Sequence, residues 1–107
     1  MGGIDNGTPF SETATHATAA VASHTGVTGK TYYITDISAS SDKAGALLLV
    51  KQGTTVIWRT QVATTAAGNN SYSHSFKTPL RGATGALVSV EIDGTSVCHA
   101  NIAGYEL

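Results

Sequence analysis

Residues 44–63 read AGALLLVKQGTTVIWRTQVA, and this stretch decides the fold class. Two arms rich in aliphatic and β-branched residues flank a Gln52-Gly53 turn. On the second arm Val56, Trp58 and Val62 recur at even steps. Even spacing places side chains on one face of a strand, because successive residues of an extended chain point to opposite faces. Glycine in a tight turn supplies the positive φ that a hairpin needs. Ala44–Lys51 and Thr54–Ala63 are therefore predicted to form a β-hairpin. On the first arm Leu47, Leu48, Leu49 and Val50 are continuous. Such a run predicts burial on both faces, by an opposing sheet and by a neighbouring subunit or arm.

The same grammar extends outward. Upstream, Thr31–Ser40 is rich in Tyr, Ile and Thr and reads as a strand, closed by Ser40-Ser41-Asp42-Lys43. Thr13–Ser23 reads as one Thr/Ala-rich strand, its β-branched residues opposing helix. Downstream of a small-residue loop at Thr64–Asn70, Ser71–Thr78 alternates Tyr72, His74 and Phe76 with Ser and Lys. Pro79–Gly85 reads as a connection. Ala86–Ile92 turns Val88, Val90 and Ile92 inward, and Asp93-Gly94 carries the signature of a type I′ turn. Thr95–Tyr105 is the returning last strand. About seven to eight strands result, with no segment suited to a helical crossover, so the sheets are expected to be mainly antiparallel. The expected fold is an all-β, jelly-roll-like β-sandwich spanning residues 13–107. Residues 1–12, with three glycines and Pro9, are expected to form a flexible N-terminal arm whose one large apolar side chain is Phe10.

Composition narrows the function. Six Lys and Arg against seven Asp and Glu leave a formal charge of −1, so there is no basic stripe to neutralise phosphates, and nucleic acid is not an expected partner. No apolar run approaches a membrane span. The first residues carry neither the basic nor the apolar region of a secretory leader, and Asn6 stands where a myristoylation motif wants Ser or Thr. Cys98 is the single cysteine, so no intrachain disulfide and no cysteine-based zinc site can form. A charge near zero favours association. A Thr-, Ser-, Ala- and Gly-rich surface suits a chain packed against copies of itself or a larger assembly.

Candidate chemistry is sparse. No Gly-x-Ser-x-Gly elbow is present, and His16, His24, His74 and His99 share no metal-ligand spacing. His74, between Tyr72 and Phe76, reads as a core or interface histidine. Asp42 and Asp93 sit where turns use Asx side chains, and no alternating acidic calcium loop is present. Trp58, Tyr72 and Phe76 fall on apolar faces and read as packing residues. Tyr32 and Tyr33 point to opposite faces, so one of them is exposed or in an interface. Cys98 reads as a small buried hydrophobe. No catalytic residue and no cofactor are expected.

Four stretches together resemble a known group. They are Thr31–Ser38 (TYYITDIS), Ala46–Lys51 with Gly53–Trp58, Phe76–Gly82 (FKTPLRG), and Val97–Ile102 with the closing Gly104-Tyr105-Glu106. Over residues 13–107 the chain resembles small β-sandwich structural proteins of tailed bacteriophages, departing at Gln52, where Asp or Asn is more usual. The resemblance implies a virion protein, such as a capsid decoration (cement) protein or a head or tail accessory protein. It brings no catalytic residues. It implies adhesion to the major capsid protein or another virion component, with a homotrimer favoured. On this reading the contact residues are Phe10 in the arm, and Leu47 and Leu49 on the apolar strand. The competing readings are a receptor- or carbohydrate-binding module of a phage fibre, a head–tail or tail component, and an unrecognised hydrolase.

Overall fold

β-Branched and aromatic residues at every second position produce eight strands in the computed structural model, which describes residues 7–62 and 70–107. They are β1 (Thr8–His16), β2 (Ala19–His24), β3 (Thr31–Ser41), β4 (Ala46–Gln52), β5 (Thr55–Val62), β6 (Asn70–Thr84), β7 (Val88–Asp93) and β8 (Cys98–Glu106). One sheet runs β1-β8-β3-β6 and the other β2-β7-β4-β5, with every pairing antiparallel. That interleaving of strands into two four-stranded sheets is the jelly roll. The expected all-β sandwich is the observed fold.

The alternating faces meet in one core. Ile34, Ile37, Ala100 and Ile102 from the first sheet pack with Ala20, Leu48, Val50, Val88, Val90 and Ile92 from the second, all buried. Fully burying an aliphatic side chain of this size stabilises by about 1.5–3 kcal/mol. Tyr32 lies against Gly82, where an added Cβ would fall 1.7 Å from its ring, so only glycine admits the ring. Gly104 lies opposite a bulge in β3 near Thr35, and a Cβ there would meet the Tyr33 carbonyl at 2.1 Å.

Several sequence expectations are corrected. The predicted arm is partly sheet: Thr8–Glu12 pair with Ile102–Glu106 of β8, and Phe10 is buried in the core. Residues 1–6 of that arm, Ala63 at the end of the predicted second hairpin strand, and Thr64–Asn69 of the predicted loop lie outside the described residues. Thr13–Ser23 is two strands, not one, since the chain leaves the first sheet after His16 and enters the second at Ala19. Pro79–Gly85 is largely strand, because β6 continues to Thr84 through an irregularity that sets Phe76–Pro79 against Thr35. Asp93-Gly94 does not close a hairpin: β7 and β8 belong to opposite sheets. The expected β4–β5 hairpin stands, with Gly53 at φ 60.

Both aspartates assigned to their own turns act at longer range. Asp42 accepts the backbone N–H groups of Thr95 and Ser96, each at 2.8 Å. Asp93 accepts the Leu47 N–H at 2.9 Å and pairs with Lys43 at 2.5 Å. The two carboxylates thus clamp the crossing from β7 to β8 against the start of β4. Gln52 has a similar reach. Its Oε1 accepts the Tyr32 hydroxyl and the Ala83 N–H, both at 2.9 Å, tying the hairpin to the opposite sheet. The shorter Asp or Asn could not span that gap in the same way.

Candidate functional site

The face of β2-β7-β4-β5 that turns away from the core is the candidate contact surface. Strand alternation sends Leu48 and Val50 inward and Leu47 and Leu49 outward. Leu47 is 46% exposed and Leu49 half-buried. The double-sided apolar run thus has an inner face in the core and an outer face that the described residues leave largely uncovered. Cross-strand register extends that outer face. One row runs Val21, Glu91, Leu49, Arg59; beside it Ala19 pairs with Asp93 and Leu47 with Gln61, and the Leu47 N–H donates to the Asp93 carboxylate. Val21 is 45% exposed. Ile57, 36% exposed, joins the face where the β4–β5 register shifts between Val50 and Lys51.

Charge frames these aliphatic groups. Lys51 pairs with Glu91 at 2.9 Å, and Lys43 with Asp93 at 2.5 Å. Burial pushes the Asp93 carboxyl up, but its bonds to Lys43 and the Leu47 N–H outweigh this and hold it below the usual carboxylate range. A shallow hollow of about 220 Å³ lies between Ala19, Leu47, Leu49, Glu91 and Asp93. Its chemistry is that of a contact surface: aliphatic groups to exclude water and paired charges to fix orientation.

Of the three contact residues expected from sequence, the structure brings Leu47 and Leu49 together and removes Phe10. The Phe10 ring stacks on His24 at 3.9 Å between centroids and 7° between planes. It is an internal anchor and cannot reach a neighbour. Sequence reasoning missed Val21 and Ile57. Val21 was placed in a single long strand that divides before it, and Ile57, which alternates with Val56, Trp58 and Val62 and therefore points outward, was passed over.

The histidines are dispersed. His24 Nε2 lies 2.7 Å from the Glu106 carboxylate, and Nδ1 lies 3.8 Å from Glu12. Glu106, although buried, also accepts the Val27 N–H at 3.2 Å. Burial raises its pKa, but the bonds from His24 and Val27 prevail and hold the carboxyl below its ordinary value. His16 Nδ1 accepts the N–H groups of Thr18 and Ala19 at the β1–β2 crossing. His99 Nδ1 bonds the Thr15 hydroxyl at 2.9 Å. His74 sits in a half-buried aromatic cluster, 5.2 Å from Trp58 and 4.6 Å from Phe76. Among the described residues no histidine bonds a serine hydroxyl, and no group of three His, Cys, Asp or Glu side chains could hold a metal ion. Cys98 is fully buried, and burial raises its thiol pKa above the ordinary value.

No protein-family model matches the chain, and no curated protein matches its sequence.

Proposed function

We propose that this chain is a structural protein of a tailed-bacteriophage virion, a decoration protein that stabilises the head shell by non-covalent contact. The observation that carries the reading is that Val21, Leu47, Leu49 and Ile57 all turn outward on one sheet. Aliphatic groups clustered on one face of a small domain mark a surface that functions covered. Burying them against shell subunits removes apolar area from water at about 25 cal/mol per Å², less the ordering cost of association. Many copies on one shell add avidity, and a trimer would engage three shell subunits at once. The sequence resemblance to phage structural proteins and the near-zero net charge point the same way.

The test is a binding assay with expanded heads of a tailed bacteriophage assembled without this chain. The purified chain is mixed with heads, sedimented, and the bound copies counted. Leu47→Asp with Leu49→Asp is expected to lower occupancy at least about tenfold, since each substitution sets an unpaired charge in the contact. A double variant that stays folded and fills the heads as the parent does would overturn the reading.

A further inference from the structure

The opposite outer face, on β1-β8-β3-β6, is built differently. Two hollows of about 180 and 300 Å³ share Ser38, Ser73 and Asn101 and merge into one shallow trough across β8, β3 and β6. Its groups are hydrogen-bonding ones held at fixed spacing by the sheet. Ser38 pairs in register with both Ser73 and Asn101. Asn101 donates one N–H to the Ser38 hydroxyl at 3.0 Å. Its carbonyl oxygen and second N–H have no partner among the described residues. Asp36 accepts the Ser75 hydroxyl at 2.6 Å, which holds the carboxylate ionised and in place at the trough's edge. Further along the same two strands Tyr33 and Tyr105, partners in the β3–β8 register, stack at 5.0 Å with 16° between their rings.

We propose that this trough binds a neutral polyhydroxylated ligand, a saccharide chain, with Asn101, Asp36 and the serines reading its hydroxyls and the Tyr33–Tyr105 step receiving an apolar ring face.

Three features select that chemistry. The two hollows carry Asp36 and no lysine or arginine among their lining groups, so they offer no cation to a polyanion, and Arg81 stands apart, opposite Tyr33 on β6. Its open surface is part hydroxyl, amide and carboxylate and part apolar, which suits a ligand that carries both hydroxyls and C–H faces. A saccharide presents hydroxyls that both donate and accept, matching Ser, Asn and Asp, and C–H faces that pack on aromatic rings. This site is independent of the shell-contact reading, since it lies on the other sheet.

The experiment is an array of immobilised neutral oligosaccharides of glucose, galactose, mannose and N-acetylglucosamine, with sialylated chains as the acidic arm. The strongest neutral ligand is then titrated into the full chain and followed by amide NMR shifts. Binding of a neutral chain is expected, with shifts at Asp36, Ser38, Ser73 and Asn101. Asn101→Ala and, separately, Ser73→Asn, which fills the trough, should each weaken it about tenfold or more. Leu49→Ser, on the other sheet, should leave it unchanged. Amide dispersion reports whether each variant is folded. The proposal is overturned if no neutral oligosaccharide binds at millimolar concentration, if acidic chains bind better, or if folded Asn101→Ala and Ser73→Asn bind as the parent does.

Discussion

The two outer faces of this sandwich enclose the same core yet carry opposite chemistry. On β2-β7-β4-β5 the positions that alternate with the core hold Val21, Leu47, Leu49 and Ile57, interrupted by paired charges. On β1-β8-β3-β6 the equivalent positions hold Ser38, Ser40, Ser73, Ser75, Asn101 and Thr15. Folding asks only that inward positions be apolar and outward positions tolerate an extended backbone. Both leucine and serine outward meet that demand. The difference between the faces is therefore not imposed by the fold.

Leu48 and Leu47 give the sharpest test of that separation, because neighbours of one residue type point in opposite directions. Leu48 is fully buried, and Leu48→Ala leaves a cavity between the sheets. The expected loss is about 2–5 kcal/mol, read as a fall in the urea midpoint with an unchanged slope. A loss below about 1 kcal/mol would mean that the two sheets are not closely packed at β4. The inner and outer roles of the run would then have to be reassigned.

How far the sequence could carry the reader depends on the range of each interaction. Side-chain alternation is a local property, so Ser71–Phe76 and Val88–Ile92 were legible as strands with the correct inward faces. The β4–β5 hairpin was legible because it is the one link between consecutive strands, among those described, that stays within a sheet. The β7–β8 link was misread for the converse reason. Asp93-Gly94 has the local chemistry of a hairpin turn. The decision is made by Asp42, whose carboxylate binds Thr95 and Ser96 from more than fifty positions away in sequence. Phe10 was misread because glycines and Pro9 surround it, yet an edge strand tolerates proline, and β1 is an edge. At the contact face Leu47 and Leu49 were visible in the unbroken run. Val21 and Ile57 obey the same alternation, outward between Ala20 and Ala22 and between Val56 and Trp58, but each stands singly among small or polar outward neighbours and forms no run that would draw the eye.

A second prediction concerns the side of the sandwich where β1, β2 and β8 meet. His24 on β2 reaches across the sheets to Glu106 on β8, with Phe10 stacked on its ring, Glu12 near its other nitrogen and Lys30 adding a favourable charge. In the folded chain the Glu106 carboxyl is held below its ordinary value, against the upward push of burial. In the unfolded chain it titrates at that ordinary value. Its contribution to stability is therefore full above the ordinary carboxylate range and disappears as pH falls through the lowered folded value. Asp36, Asp42 and Asp93 are lowered too and add to the acid limb with the same sign. Glu106→Gln is expected to cost about 1.5–3 kcal/mol near neutrality and to flatten part of the acid limb. Stability measured by urea against pH checks both. An acid limb as steep as the parent's would assign the loss to other groups. If the prediction holds, the latch between sheets is internal to the fold, and neither outer face is needed to keep the layers together.

The smallest expected effect is the most informative about the faces. Leu47→Ser converts one position of the aliphatic face to the chemistry of the opposite one, at a side chain nearly half exposed. Exposed substitutions away from caps and buried networks change stability by about 0.5 kcal/mol or less. Serine can replace leucine here without touching the Leu47 N–H that Asp93 accepts, so the clamp at the β4 start is preserved. The urea midpoint should stay close to the parent's, while sedimentation velocity at high concentration should show weaker self-association and head binding should fall. The two measurements separate what a contact map cannot. A large drop in midpoint would make Leu47 a supporting residue of the fold. A steady midpoint with reduced association would make it a residue whose outward turn serves only what lies beyond the chain.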